Sequence, residues 1–247
     1  MPRRTEGAHR ARRIGANMKK LTIAAGLLCG FLATNAANAQ GRRPIPTPQG
    51  IFNPVVGTGA EYSYQTKNGT KGDFNISIVG KESSNGKDGY WMETSTVDPQ
   101  MGEVVVKMLL VPEGNNGHVD KLIMQMPGRG PMEFDGMMGG RMAPTEPTKD
   151  IRDSATDVGS ESVTVPAGTF TCEHYKAKDG SGDYWVAKNA GPYGLVKMQG
   201  QDQSSMTLTK VITDAKDKIT GTPQPFDPSM MGGMGRGMGG GMGRGPQ

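Results

Sequence analysis

Two residue types that can do nucleophilic or metal chemistry stand close together in SVTVPAGTFTCEHYKAK, residues 162–178. Cys172 and His174 are two positions apart on a predicted strand, so their side chains share one face with Phe170. A metal site needs three or four ligands, and beyond the leader described below the chain has one other histidine, His118. A Cys-His nucleophile needs an orienting third group, which the spacing does not supply. We therefore interpret Cys172 as a buried core thiol beside an edge histidine, and predict no catalytic residue and no cofactor.

Methionine thioethers form the second chemically distinctive set. They cluster in two Gly-rich segments, one internal and one C-terminal, and they are Met124, Met126, Met132, Met137, Met138 and Met142, then Met230, Met231, Met234, Met238 and Met242. Thioethers are soft ligands suited to Cu(I), so copper handling, with Cys172 and His174 as helper ligands, is one interpretation. An adaptable apolar surface for a partner or lipid is another, and low-complexity composition without a role is a third.

The first 39 residues have the pattern of a secretory leader. A basic start at Met18 is followed by an apolar run over 21–33 and by Ala37-Asn38-Ala39, a small-x-small cleavage pattern. The apolar run is too short for the roughly 20 residues that cross a bilayer. We predict a signal peptide over 1–39, with translation starting at Met18 as an alternative, no transmembrane span, and a periplasmic or secreted protein.

Removing this leader changes the charge balance. It holds seven of the 28 Lys and Arg but one of the 24 Asp and Glu, which leaves 21 basic against 23 acidic residues. The basic pI therefore belongs to the leader, and it gives no reason to expect a nucleic-acid partner. Cys172 is the one cysteine after residue 39, so the mature chain has no internal disulfide.

Composition divides the remaining chain into three parts. Residues 40–57 are Pro-rich and predict an extended linker, and residues 221–247 are built from Gly, Met, Pro and Arg and predict a disordered tail. Between them, residues 58–220 have the size of one domain. Within it, the Met- and Gly-rich insertion 126–142 predicts a long loop or short helix over the sheet, because Pro127 and its glycines disfavour a central strand.

The predicted fold is all-β with minor α. Apolar residues recur with period two, for example Val104, Val106, Met108 and Leu110, and Asn-Gly or Asp-Gly turns separate the runs. The ten predicted strands are 61–67, 73–81, 90–97, 102–111, 119–126, 161–165, 169–178, 183–188, 195–200 and 205–213. They imply a curved antiparallel meander, half-barrel or barrel-like.

One stretch of the chain also resembles a known group of proteins. Val165-Pro166-Ala167-Gly168-Thr169-Phe170, then Trp185, then Gly194-Leu195-Val196-Lys197 resemble the VPAGTF…W…GLVK pattern of uncharacterised secreted bacterial β-proteins. That pattern is similar to periplasmic lipoprotein-carrier-like (LolA/LolB-like) folds, in which a curved antiparallel sheet wraps an apolar cavity. The resemblance implies a sheet of this kind, and its motifs describe hairpin geometry rather than chemistry.

These observations lead to one functional expectation and one alternative. We predict a non-enzymatic periplasmic β-sheet protein that binds an apolar small molecule or lipid, or else a cell-envelope protein. In the first case apolar residues would line a concavity and the Met-rich insertion would cover it. The alternative is a Met-rich protein that handles copper.

Overall fold

The structure is a computed structural model that describes residues 48–98, 102–114, 116–134, 143–144 and 147–227. The signal peptide, most of the linker, Met137, Met138, Met142 and the tail from residue 228 lie outside the described residues. The elements are β1 (Gly59–Gln65), β2 (Lys71–Ser84), β3 (Lys87–Asp98), β4 (Gly102–Glu113), β5 (Asn116–Gln125), β6 (Met132–Phe134), α1 (Ile151–Ser154), β7 (Ala155–Val165), β8 (Gly168–Ala177), β9 (Gly182–Val186), β10 (Leu195–Gly200), β11 (Ser205–Ile212) and β12 (Gln224–Pro225).

The strands form one twelve-stranded sheet made of two meanders. Its order is β12-β6-β5-β4-β3-β2-β1-β11-β10-β9-β8-β7, so the meanders β1–β6 and β7–β11 join where β1 pairs with β11. All ladders are antiparallel except the short β12–β6 pair. This confirms the predicted all-β antiparallel fold, with β12 and β7 at the two open edges.

Bulges curve the sheet. Register shifts leave one extra residue in β2, β5, β7, β10 and β11, namely Val79, Asp120, Val158, Val196 and Thr209, and each adds local twist to its strand. The sheet is strongly curved at its β7 end. This is seen from the contacts of β7 with β10 and β11, which are three and four strands away from it in the sheet order. The inner face is filled by large side chains that are less than 2 % exposed, among them Tyr62, Met92, Leu110, Leu122 and Leu208.

The two segments that flank the predicted domain differ from the prediction. The predicted linker is packed from Pro48 onward: the Ile51 N–H donates to the Tyr193 carbonyl at 2.9 Å, and the Phe52 ring lies 5.1 Å from the Tyr193 ring. The predicted tail is likewise paired in its first residues, since 221–227 include β12. Both segments have the composition of tethers, but tertiary contacts with the sheet hold residues 48–57 and 221–227.

The insertion also differs from the prediction of a loop or helix over the sheet. Met132–Phe134 is strand β6, paired antiparallel with β5 on one side and parallel with β12 on the other. The three residues of β6 include no glycine or proline, because Pro127 and Gly128 lie in the turn before it. Within the described ranges, no helix is long and apolar enough to span a membrane.

Candidate functional site

Cys172 lies in the core. Its side chain is 0 % exposed, and its Sγ is 3.8 Å from the Phe170 carbonyl oxygen. Burial raises the pKa of the thiol to about 11, and the charge of Glu161 acts in the same direction. The thiol therefore stays protonated at neutral pH, whereas nucleophilic and metal-binding cysteines act as thiolates.

His174 lies two positions beyond Cys172 on β8, in a polar network with two carboxylates. Its Nε2 is 2.8 Å from Asp183 Oδ1 and its Nδ1 is 3.1 Å from Glu161 Oε1. The Trp185 Nε1–H donates to the same Glu161 oxygen at 2.6 Å. The imidazole is therefore held between two carboxylate groups, one on β7 and one on β9.

The same histidine is part of a stacked column across three strands. The His174 and Trp185 rings are directly opposite in the β8–β9 ladder, with centroids 4.6 Å apart and planes 16° apart. On the neighbouring strand, Lys197 Nζ lies 4.8 Å from the Trp185 ring. Both indole faces are thus covered, and the column connects β8, β9 and β10.

The predicted site residues therefore share a strand without forming a site. Cys172 packs inward and His174 contacts two carboxylates. Across the described ranges, no group of three or more His, Cys, Asp and Glu side chains converges as a metal site. That Cys172 and His174 serve packing stays a prediction.

Of the methionines singled out by sequence, three are described. Met124 on β5 lies directly opposite Met132 on β6, and Met126 lies just past the end of β5. All three are partly exposed and pack at the margin of the core. Met137, Met138 and Met142, together with Met230, Met231, Met234, Met238 and Met242, lie outside the described residues.

A feature that sequence reasoning missed is a C-terminal strap, residues 213–227. It crosses the outer face of the first meander, the face on which Glu93, Lys107 and Ile123 form a cross-strand row. The Ala215 N–H donates to the Gly57 carbonyl at one end, and the Phe226 N–H donates to the Glu133 carbonyl at the other.

Glu93 on β3 is buried under this strap, with 4 % of its surface exposed. Its Oε2 accepts the backbone N–H of Lys218 at 3.0 Å. The pKa of Glu93 is raised to about 7: burial is the main cause and the carboxylate of Asp217 acts in the same direction, whereas the Lys218 N–H and the Lys107 charge oppose them. A carboxyl group that titrates near neutrality is therefore located between sheet and strap.

A second candidate functional feature is the sheet edge at β7, which is exposed. Residues 156–162 and Thr164 are exposed, so neither face of the strand is covered by the described chain. β7 is eleven residues long, whereas β12 at the opposite edge has two. Long open edges present unpaired N–H and C=O groups to solvent.

Comparisons with known proteins give structural likenesses without a family. No protein-family model matches the chain, and no curated protein matches it. A candidate exported protein with a YmcC-like fold from Bacteroides fragilis is 13 % identical over 66 % of this chain and 99 % of its own, with a TM-score of 0.33. A candidate lipoprotein from Parabacteroides distasonis is 13 % identical over 67 % of this chain and all of its own, with a TM-score of 0.31. The MucA/MucB complex of Pseudomonas aeruginosa matches at 9 % identity over 67 % of this chain and 55 % of that chain, with a TM-score of 0.38.

Proposed function

We propose that this chain is an exported, non-enzymatic β-sheet protein that binds an extended segment of a cell-envelope partner along β7. The partner segment would add a thirteenth strand to the sheet, with main-chain hydrogen bonds supplying affinity. The observation that supports this proposal is the long, uncovered edge at β7, described above, beside a filled core. Natural proteins usually shorten or cover such an edge when they do not use it.

The chemistry of β7 indicates a basic partner segment. The strand carries two acidic residues, Asp157 and Glu161, and no lysine or arginine. A second copy of the chain fits poorly, because antiparallel pairing of two β7 strands centred on Gly159 sets Asp157 of one copy opposite Glu161 of the other. The chain's own Arg42-Arg43 segment also fits poorly, since the prolines at 44, 46 and 48 remove ladder donors.

An apolar ligand has less support than a protein partner. The inner face, where such a ligand would sit, is filled by buried side chains of the chain itself. A groove of about 640 Å³ lies elsewhere, between the strap and the turn after β5, and it is partly charged; it is lined by Glu103, Val105, Gln125, Met126, Pro127, Gly128, Arg129 and Lys218. Ligands of apolar sites are largely enclosed by their pockets, and this groove is open.

The test uses a synthetic peptide of alternating Lys and Val, with the corresponding Glu-Val peptide as the charge control, and the mature chain from Gln40. We expect the basic peptide to bind and to slow amide exchange over 155–165 selectively. Thr156→Lys with Ser162→Lys should weaken binding at least tenfold. Asn68→Lys with Thr213→Lys changes the net charge equally but lies outside β7, and should leave affinity unchanged. Equal binding of both peptides, or equal loss in both variants, would refute the proposal.

Copper handling is a second candidate, favoured by one specific observation. Strand β12 pairs with β6 so that Gln224 lies opposite Met132, which places the starts of both Met-rich segments side by side. The opposed thioethers of Met124 and Met132 lie on the neighbouring ladder. Two or three thioethers are a suitable ligand set for Cu(I).

Titration with Cu(I) under reducing conditions tests this candidate. The chain ending at Asp227 keeps the strap, so a comparison with the chain ending at Gln247 isolates the tail methionines without disturbing the sheet. Met124→Leu with Met132→Leu removes the described pair at nearly constant volume. Copper handling requires weaker Cu(I) binding in at least one of these chains; equal binding, or none in the full chain, refutes it.

A further inference from the structure

We propose that the strap is a proton-controlled latch, which is docked on the outer face of β3–β5 when the buried Glu93 is protonated and is released when Glu93 and Asp217 are both ionised. This inference goes beyond the proposed function and does not depend on it. It concerns the opposite half of the sheet from β7.

The path of the strap makes a latch geometrically possible. Between its anchors on Gly57 and Glu133, the strap makes side-chain contacts with β3, β4 and β5 in turn. Lys107 on β4 pairs with Asp217, and Gln125 on β5 accepts the Thr220 N–H at 2.9 Å. The strap is thus attached by polar contacts that respond to charge.

Glu93 is the buried centre of these contacts. From the strap, the Lys218 N–H donates to it, and the nearby Asp217 carboxylate acts to raise its pKa. From β4, Lys107 is directly opposite it, and from β2 the uncharged Ser77 is opposite it. The two acids therefore face one full cation, whose ammonium group already pairs with Asp217.

Of the two lysines in the strap, Lys216 is exposed and Lys218 is directed elsewhere. Lys218 Nζ donates to Ser95 Oγ at 2.9 Å and lies 2.7 Å from Glu103 Oε1. Ionising Glu93 under the docked strap thus places a negative charge on a buried side chain, beside the more exposed carboxylate of Asp217. Removing the strap hydrates Glu93 and separates the two carboxylates.

The sign of the pH effect follows from the direction of the shift. The raised pKa of Glu93, about 7 in the docked state, means that the docked strap binds a proton more tightly than the open one. Docking is therefore strongest at low pH and weakens as the pH rises from the ordinary glutamate value to about 7. Linkage predicts that the docking equilibrium falls by a factor on the order of 50 between pH 5 and pH 8.

Release would have a structural consequence at β6. Strand β12 leaves with the strap, so β6 loses its parallel partner and Phe134 loses the Phe226 ring. The buried outer residues Val105 and Ile123 would also meet solvent. The latch therefore controls access to the β6 edge.

The experiment measures amide exchange of 216–226 in the mature chain at pH 5, 6, 7 and 8, with each rate divided by its intrinsic value. We expect protection to fall by tens of fold from pH 5 to pH 8, while the β2–β3 amides stay protected. Glu93→Gln mimics the protonated acid and should stay docked at every pH. Glu103→Gln is the matched control. Glu103 also contacts the strap, through Lys218, but it is not the buried acid, so this variant should keep the wild-type pH dependence.

Asp217→Asn provides a second variant, because it removes the like charge beside Glu93 and should shift the transition to lower pH. Wild-type protection that is constant from pH 5 to pH 8 would overturn the latch. A Glu93→Gln chain with the wild-type pH dependence would overturn it as well.

Discussion

Phe226 stacks on Phe134, with ring centroids 4.6 Å apart and planes 22° apart, so the end of the strap is packed against the last strand of the first meander. Phe226→Ala should lower the free energy of unfolding by about 1–2 kcal/mol, since a half-buried aromatic contact is lost. Urea unfolding measures this loss. A chain ending at Asp227 keeps both rings, so its stability should match that of the full chain. If truncation lowers the stability as much as Phe226→Ala does, the effect belongs to the tail and not to the ring stack.

Glu93 should make the whole protein less stable as the pH rises. Its folded pKa of about 7 lies above the ordinary value of 4.5, so the folded state binds the proton more tightly and stability falls between those two pH values. Glu93→Gln should therefore gain stability relative to wild type between pH 5 and pH 8, by at most about 3 kcal/mol. Urea titrations at both pH values measure the difference, and a difference that is independent of pH would contradict the assignment.

Gly50 touches backbone that cannot move aside. A Cβ there would lie 2.1 Å from the Tyr193 carbonyl oxygen, so Gly50→Ala should detach residues 48–53 from the sheet and cost about 2–3 kcal/mol. Gly130→Ala is the matched control, because nothing lies within 4 Å of its Cβ position. Thermal unfolding compares the two. Equal melting temperatures would show that the packed segment contributes nothing to stability.

The thiol of Cys172 should be unreactive in the folded protein. Its pKa of about 11 and its full burial keep it protonated and shielded. With Ellman's reagent at pH 8, the mature chain should release no colour until it is unfolded, and then one equivalent. Rapid labelling of the native chain would mean that β7 and β8 separate easily, and the packing interpretation would fail.

His174 should contribute to stability through its carboxylate contacts. His174→Phe keeps a ring to stack on Trp185 but leaves Asp183 and Glu161 without the imidazole, and we expect a loss of about 1–2 kcal/mol. His118→Phe is the control, since that ring is half exposed and is 3.9 Å from Glu113. If urea unfolding gives both variants the same stability, the polar network around His174 has no structural role.

The sequence predicted ten of the twelve strands because their apolar residues alternate over five or more positions. Strands β6 and β12 have three and two residues, and Pro225 lies within the second. So short a segment carries no period, and its pairing depends on tertiary contacts such as the Phe134–Phe226 stack. The packed linker was missed for the same reason, because its partner Tyr193 is distant in sequence.

The environment of the candidate residues was predictable only in part. The strand position of Cys172 and its small apolar character indicated burial, and the structure places it in the core. The burial of Glu93 could not be predicted from YWMETSTV, where it alternates like a solvent-facing residue. Its cover comes from Asp217 and Lys218, more than a hundred positions later. Local patterns cannot report a contact of that range.

The ladder between β1 and β11 sets the order in which the chain can assemble. Lys210 and Glu61 form an ion pair across this ladder at 3.2 Å, although they are 149 positions apart. Each meander can form hairpin by hairpin from neighbouring strands, but β1 cannot complete its pairing until β11, 140 or more positions later, has formed. Joining them closes a very long loop, so this step should be the slowest. Until these strands pair, the chain consists of two half-sheets whose open β1 and β11 edges could pair with other chains.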